Sequence, residues 1–544
     1  MSLALPSWSA AVGRSGTAAR PPLFLLLGLA LLHFWRWGYA YGNSDQDELL
    51  PQVLHRLEPA LFARDWFVLS QADGVTVRTV FVELLRLLGL VVPLPVAVGL
   101  LHFGVLVAVG WGVYRLGYAL VPDRLGASLG AFLAVVLLPH WTLGGNRLTY
   151  AQVAPENLAW ALALPAVWLF LHRRRLAAAA LLGLTAWVQL LVGAQTAAVL
   201  AAVALWEAGW ERSVRGAGRA VLFGLVAAAV AAPVALPAVL APPMEGPTVP
   251  GVTAFHALAR LRVPHHYLPS AFGVAAYVRF GLIAVAGLAA LWALRRGGRL
   301  RHGRFVVRFL AVVALCGVVA AVFTEGVPVL FVAQLQLFKL TVWATTLLTL
   351  LVGAWVAGAL PARLRALGEG ALARPRLGLA VVAVAALGTA AAVGAGFGPA
   401  ASRYVPGQYA ASDLARAEAW VRARTPVDAL FLIPPSNTTF RTHARRSVVV
   451  NFKPTPYQRG GILVWLHRML AVAPMPVPER GGFPFQEALD AAYAANDAGD
   501  WQRLARRFGA DWALVDAART ASPPPAPPAF RAGDWAVYRL RSAE

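Results

Sequence analysis

Long apolar segments alternate with short polar ones through the first three quarters of the chain, and this alternation predicts a multi-span membrane domain. A helix needs about 20 apolar residues to cross roughly 30 Å of hydrocarbon. On that basis we predict about eleven spans, near residues 21–40, 93–119, 125–140, 155–171, 176–191, 193–209, 220–241, 277–294, 305–323, 337–360 and 377–396. The predicted fold class is therefore a polytopic α-helical membrane protein.

The pattern changes near residue 397, where charged residues, proline and asparagine become more frequent. Amphipathic helix patterns, as in 413–424, alternate with short apolar strand patterns, as in 446–452. Such alternation is typical of a small α/β unit. We therefore predict a transmembrane domain over 1–396 and a soluble α/β domain over 397–544.

Arginine clusters in alternate loops predict the orientation of the spans. If the N-terminus is cytoplasmic, the inside loops carry Arg173 to Arg175, the segment RRGGRLRHGR at 295–304 and the arginines of 363–376. Cytoplasmic loops of membrane proteins carry such an excess of basic residues. An odd number of spans then places the C-terminal domain outside, so we expect a multi-pass protein of the cell (inner or cytoplasmic) membrane with an extracytoplasmic C-terminal domain.

Composition supports this class and argues against nucleic-acid binding. Hydrophobic residues make up 58% of the chain and charged residues 14%, whereas soluble proteins carry about 25% charged residues. The net charge is +22, but the basic residues lie in clusters between apolar segments, where they meet membrane lipids. With one cysteine, Cys316, no disulfide can form within the chain.

Three carboxylates lie close together directly after the first predicted span, in GNSDQDELLP at 42–51. Asp45, Asp47 and Glu48 repel one another unless a cation, arginine partners or open water stabilise them. We therefore predict them as catalytic residues, with Asp45 and Asp47 as metal ligands for a divalent cation such as Mg²⁺ or Mn²⁺. The same acids would also suit the first turn of a solvated helix, where they favour its dipole.

Further candidates lie in the two long outer loops, predicted at 41–92 and 242–276, and at the outer end of the tenth span. We predict these residues to bind substrate: Asp65, Arg260, Arg262, His265, His266 and Lys339. Arginine matches phosphate oxygens in a bidentate way, and an ionisable residue at membrane depth indicates function. The alternatives are a salt bridge from Asp65 to Arg64, and contacts of the basic residues with lipid headgroups.

This layout resembles the GT-C superfamily of membrane glycosyltransferases, and the motif GNSDQDELLP with the following EPALFARDWFV resembles bacterial membrane proteins of the same layout. That group includes oligosaccharyltransferase catalytic subunits, protein O-mannosyltransferases and aminoarabinose transferases. The resemblance implies that Asp45 or Asp47 acts as the loop acid, either as base or as the group that positions the acceptor. The acceptor-recognition motif of oligosaccharyltransferases is absent from the C-terminal domain, so the sequence does not indicate the acceptor.

The resemblance implies a cell-envelope enzyme that transfers a sugar from a polyprenyl-phosphate-type lipid to an acceptor on the outer face. The partners would be a polyprenyl-linked sugar lipid and membrane lipids, with no nucleic acid. Two other hypotheses remain open. One is a transporter or flippase for a lipid or polymer intermediate, and the other is a non-catalytic membrane assembly subunit.

Overall fold

The computed structural model describes residues 20–72, 74–394 and 412–541. The predicted domain boundary at 396/397 lies outside the described residues, as do residues 1–19. The described chain consists of a bundle of apolar helices followed by a small unit built on a sheet.

The helices of the first part include both bundle helices and short helices of the loops between them. They are α1 (Leu23–Trp37), α2 (Leu50–Leu57), α3 (Trp66–Ala72), α4 (Thr79–Gly89), α5 (Leu94–Leu120), α6 (Arg124–Phe132), α7 (Pro155–Leu171), α8 (Arg175–Val188), α9 (Leu190–Trp210), α10 (Val214–Leu240), α11 (Pro264–Tyr267), α12 (Val274–Arg296), α13 (Gly303–Ala321), α14 (Leu330–Gln334), α15 (Thr341–Ala359), α16 (Ala362–Ala373) and α17 (Pro375–Gly394). Shorter 3₁₀ or π turns extend several of them, notably Ser44–Glu48 and His256–Arg262.

Six helical segments of the described chain are long and apolar enough to cross a membrane, and a bent pair of helices, Ala362–Ala373 with Pro375–Gly388, would make seven. Each of the four remaining predicted spans contains a shorter apolar helix, as in Leu23–Trp37. The structure therefore supports a membrane protein, whereas the number of about eleven spans stays a prediction.

The core of the bundle is formed by apolar side chains of several helices, with large contributions from α5, α7, α9 and α15. Trp160 and Trp343, both buried in this core, meet edge to face with ring centroids 5.6 Å apart. Small residues allow close helix approach: a Cβ at Gly353 would lie 2.3 Å from the backbone nitrogen of Gly130. Such contacts are typical of helix pairs in membranes.

The C-terminal unit contains five helices and a five-stranded sheet. These elements are α18 (Asp413–Arg424), β1 (Leu430–Leu432), α19 (Phe440–Ala444), β2 (Ser447–Val448), α20 (Gly461–Val472), α21 (Phe483–Ala494), α22 (Ala498–Phe508), β3 (Trp512–Asp516), β4 (Phe530–Ala532) and β5 (Trp535–Arg539). The strand order is β2-β1-β3-β5-β4, with β1 parallel to both neighbours and β5 antiparallel to β3 and β4. A small unit with a sheet thus follows the bundle.

The second long loop is packed into this unit. Ala257 and Leu261 of the short π-helix His256–Arg262 are fully buried in the core of the C-terminal unit. The backbone nitrogens of Gly481 and Gly482 donate to the carbonyl oxygens of Arg260 and Leu261, at 2.8 and 2.6 Å. A Cβ at Gly481 would lie 2.6 Å from the Leu261 oxygen, so only glycine permits this approach. The loop and the C-terminal unit therefore hold each other in place.

Candidate functional site

The acidic motif after α1 forms a 3₁₀ turn, Ser44–Glu48, which lies against the C-terminal unit. Gly42 begins this approach with φ +73°, and a Cβ there would lie 2.6 Å from the His443 ring. The Ser44 nitrogen donates to the hydroxyl of Thr438 at 3.1 Å. Because a 3₁₀ turn has three residues per turn, its successive acids point to different surroundings, and each of them has its own partners.

Asp47 belongs to a fully buried network with Asp65 and Arg441 of α19. The Arg441 guanidinium donates to Asp65 Oδ2 at 2.7 Å and to Asp47 Oδ2 at 3.5 Å. The Asn451 amide donates to Asp47 Oδ2 at 2.7 Å. The other oxygen of Asp65 accepts from the Val68 nitrogen at 3.0 Å and so caps α3. The side chains of all three ions are at most 1% exposed, so this network joins the first loop to the C-terminal unit.

One guanidinium serves two carboxylates in this network, and the Oδ1 atom of Asp47 has no hydrogen-bond partner among the described residues. Burial raises the pKa of Asp47 to about 7, although Arg441 and the Asn451 hydrogen bond act in the opposite direction. In the unfolded chain this aspartate has its ordinary pKa of 3.8. Between that pH and about pH 7, the folded protein therefore keeps a proton on Asp47 that the unfolded chain releases. Stability should fall as the pH rises between these two values.

Replacing Asp47 with asparagine tests this pH dependence, since asparagine mimics the protonated acid. We expect the decline in thermal unfolding midpoint from about pH 4 to about pH 7 to become shallower in the variant. The nearby Glu418, whose pKa burial raises to about 8, has a shift of the same sign and should leave a residual slope. The midpoint is read from tryptophan fluorescence of the full chain in nanodiscs. Parallel wild-type and variant profiles would contradict the assignment.

Glu48 has both carboxylate oxygens occupied by protein donors. The Arg262 guanidinium donates to Oε1 at 3.1 Å, and the Tyr457 hydroxyl donates to Oε2 at 2.9 Å. Arg262 also donates to the carbonyl oxygen of Lys453. The pair thus ties the first loop, the second loop and the C-terminal unit together, and Glu48 is placed to hold this arrangement.

Asp45 forms an ion pair with the ammonium of Lys453. The two side chains are 34% and 26% exposed, whereas the Arg262 and Lys339 side chains are 9% and 4% exposed. Burial would raise the pKa of Asp45, but Lys453 outweighs that effect, and the net shift is downward. Asp45 is therefore ionised at neutral pH and is the most accessible of the predicted acids.

Lys339 pairs with Glu156 at the start of α7. Its ammonium donates to Glu156 Oε1 at 2.7 Å, and the Gln189 amide donates to the same oxygen at 3.0 Å. The Arg78 guanidinium lies over the Tyr457 ring, 5.7 Å from its centroid. Arg78 also interacts electrostatically with Glu48 and Glu156, so it links the Glu48–Arg262 pair with the Glu156–Lys339 pair. Together with Asp45 and Lys453, these residues form what we call the polar region.

The two histidines of the second loop lie beside this region. His266 Nδ1 is 2.6 Å from the Gly144 carbonyl oxygen, and the His265 ring stacks on Phe483 with centroids 5.1 Å apart. Burial lowers the pKa of His265 to about 4 and of His266 to about 3, so both rings are neutral at neutral pH. Arg260 forms no ion pair within the described chain.

The donor set does not fit a divalent cation. Asp45 is paired with Lys453, and the partners of Asp47 are Asn451 and Arg441. Within residues 20–72, 74–394 and 412–541, no three histidine, cysteine or acidic side chains gather as metal ligands. Metal sites for Mg²⁺ or Mn²⁺ need several free oxygen ligands. Chemistry at this site is therefore derived below from the side chains alone.

Sequence patterns missed five residues around these ion pairs: Arg78 of the first long loop, Glu156 of α7, and Arg441, Lys453 and Tyr457 of the C-terminal unit. One signal could have found Lys453. The chain has only two lysines, Lys339 and Lys453, and both pair with carboxylates of the same polar region. Lysine in a chain that otherwise uses arginine indicates a position where a compact ammonium is needed.

Comparisons with known proteins give a partial family match. A family model described as a domain of unknown function (DUF6798) matches residues 412–472, the segment that contains Arg441, Asn451, Lys453 and Tyr457. No curated protein matches the chain.

Solved structures similar to the chain include the oligosaccharyltransferase of Archaeoglobus fulgidus. Its apo form is 13% identical over 91% of this chain and 69% of that chain, with a TM-score of 0.46. The complex with Zn and sulfate is 14% identical over 90% and 68%, with a TM-score of 0.44. The form tethered to an acceptor peptide with the NVT sequon is 14% identical over 91% and 69%, with a TM-score of 0.44. Such distant similarity carries no functional argument, which must come from the site.

Proposed function

We propose that this chain is a membrane glycosyltransferase of the GT-C type. It moves a sugar from a polyprenyl-phosphate-type lipid to an acceptor on the outer face of the membrane in which it lies. The observation that carries the proposal is the accessible ion pair of Asp45 and Lys453. It lies at the junction of an apolar bundle with the C-terminal unit, among the less exposed pairs Glu48–Arg262 and Glu156–Lys339. A carboxylate beside cations is what glycosyl transfer from a phosphate requires.

In the proposed reaction, a hydroxyl or amide of the acceptor attacks the anomeric carbon of the donor sugar. The new bond forms as the bond from that carbon to the phosphate oxygen breaks, and the electron pair stays on the phosphate. The acceptor's proton passes to Asp45, which acts as the general base. Cations of the polar region stabilise the charge that develops on the leaving phosphate.

The other predicted residues have supporting roles in this proposal. Arg262 and Lys339 contribute positive potential from buried positions, while their carboxylate partners hold them in place. Asp47 and Asp65 join the loop to the C-terminal unit through Arg441 and act as positioning residues. His265, His266 and Arg260 lie on the second loop, where we propose that they contact the donor headgroup.

The proposal is tested with the purified full chain in proteoliposomes that contain polyprenyl-phosphate-linked labelled sugars. We expect consumption of the sugar lipid and release of polyprenyl phosphate when membranes of the source organism supply the acceptor. A fluorescent lipid of the same type reports movement between leaflets. If the lipid moves between leaflets but the sugar lipid is not cleaved, the flippase hypothesis replaces the glycosyltransferase. If neither movement nor cleavage occurs, the result favours a non-catalytic assembly subunit.

A further inference from the structure

We propose that Lys453 is the residue that contacts the donor phosphate, and that its ammonium leaves Asp45 when a polyprenyl phosphate headgroup binds, which frees the carboxylate for the acceptor. The inference rests on the proposed function and adds to it the identity of the phosphate-binding cation and a coupling between the two substrates. No divalent cation is needed in this arrangement.

Exposure singles out Lys453 among the paired cations of the polar region. Its side chain is 26% exposed, against 9% for Arg262 and 4% for Lys339. Arg262 is further held by the Lys453 carbonyl oxygen, and Lys339 by a short bond to Glu156. A ligand that enters this region can therefore reach the ammonium of Lys453 without first breaking a buried ion pair.

The backbone at Lys453 is held by its neighbours, while the side chain is partly exposed and has Asp45 as its ion-pair partner. Arg262 donates to its carbonyl oxygen, and Pro454, which follows directly, and Pro456, two residues further on, restrict the backbone. Asn451, two residues earlier, is buried and donates to Asp47. A lysine side chain on such a support can swing its ammonium between two anions at little cost, because ammonium bonds are not directional like those of guanidinium.

The ion pair must open for transfer to occur. In a displacement at the anomeric carbon, the base and the leaving phosphate lie on opposite sides of that carbon, so they cannot share one ammonium in direct contact. The phosphodiester of the donor carries one negative charge, as the carboxylate does, and gains a second as its bond to the sugar breaks. It therefore competes with Asp45 for Lys453 and holds the ammonium more strongly as transfer proceeds. Removal of the cation also makes Asp45 a stronger base, so that donor binding prepares the acceptor site.

Amine labelling tests the contact without any measurement of activity. The chain has two lysines, so an amine-reactive acetylating reagent gives a simple pattern by mass spectrometry, with buried Lys339 as the internal control. In nanodiscs we expect Lys453 to be labelled, Lys339 to be spared, and polyprenyl phosphate to slow Lys453 labelling by about tenfold. Neutral polyprenol should not protect. Equal protection by phosphatidylglycerol, or none by polyprenyl phosphate, would overturn the proposal.

Transfer assays separate this inference from the proposed function. Lys453→Met should lower transfer on the order of 100-fold, as loss of one preorganised donor does, and Lys453→Arg should restore part of the rate. Wild-type transfer should persist in a chelator. Transfer that survives Lys453→Met, or that stops in the chelator, overturns the inference and leaves the glycosyltransferase standing. If polyprenyl phosphate protects Lys453 from labelling but no sugar is transferred, the phosphate contact stands and the proposed glycosyltransferase activity is ruled out.

Discussion

Replacing Asp45 with asparagine should lower the rate of sugar transfer by about 10²- to 10⁴-fold, the usual contribution of a general base. Asparagine keeps the size of the side chain but cannot take the acceptor's proton. It also leaves the buried network of Asp47, Asp65 and Arg441 untouched, so folding should change little. The measurement is the initial rate of sugar release from a labelled polyprenyl-phosphate donor, at saturating donor concentration.

Glu58→Gln is the matched control for this experiment. Glu58 lies in the same long loop between α1 and α5 but is exposed, and its replacement should change the rate by about twofold at most. The thermal unfolding midpoints of both variants should equal that of the wild type, which separates lost chemistry from lost structure. If the Asp45→Asn variant transfers sugar at the wild-type rate, Asp45 is not the general base.

The sequence could predict the parts of this site that depend on local patterns. An acidic motif directly after an apolar segment drew attention to Asp45, Asp47 and Glu48, because clustered carboxylates require partners. The bidentate match of arginine to phosphate oxygens indicates Arg262, and the depth of an ionisable residue in a predicted span indicates Lys339. The structure places all five in or beside one polar region, while their roles in catalysis stay predictions.

The partners of these residues could not be predicted, because sequence spacing carries no information about distant contacts. Arg441 and Asp47 are separated by 394 positions, and nothing in FRTHARR distinguishes a buried arginine from the many exposed ones. Glu156 looked like part of a predicted span, and its pairing with Lys339 depends on how α7 packs against α15. The depth of Asp47, which separates a positioning acid from an accessible one, likewise depends on the docked C-terminal unit.

Replacing Arg441 with methionine should destabilise the protein by about 3–5 kcal/mol, the usual cost of leaving buried charges without their partner. Methionine fills much of the volume but donates no hydrogen bond. Asp65 and Asp47 would lose their shared cation in a region that water does not reach. We expect the first loop to separate from the C-terminal unit, which limited proteolysis and the thermal unfolding midpoint of the full chain in nanodiscs would both detect.

Arg503→Met provides the control, because Arg503 forms an exposed ion pair with Asp500 and such pairs contribute at most about 1 kcal/mol. The origin of the Arg441 effect can also be isolated. If unpaired charge is the cause, adding Asp47→Asn and Asp65→Asn to Arg441→Met should restore much of the lost stability, since neutral amides are less costly to bury than carboxylates. A triple variant that is less stable than Arg441→Met alone would instead show that packing and the cap of α3 by Asp65 dominate this junction.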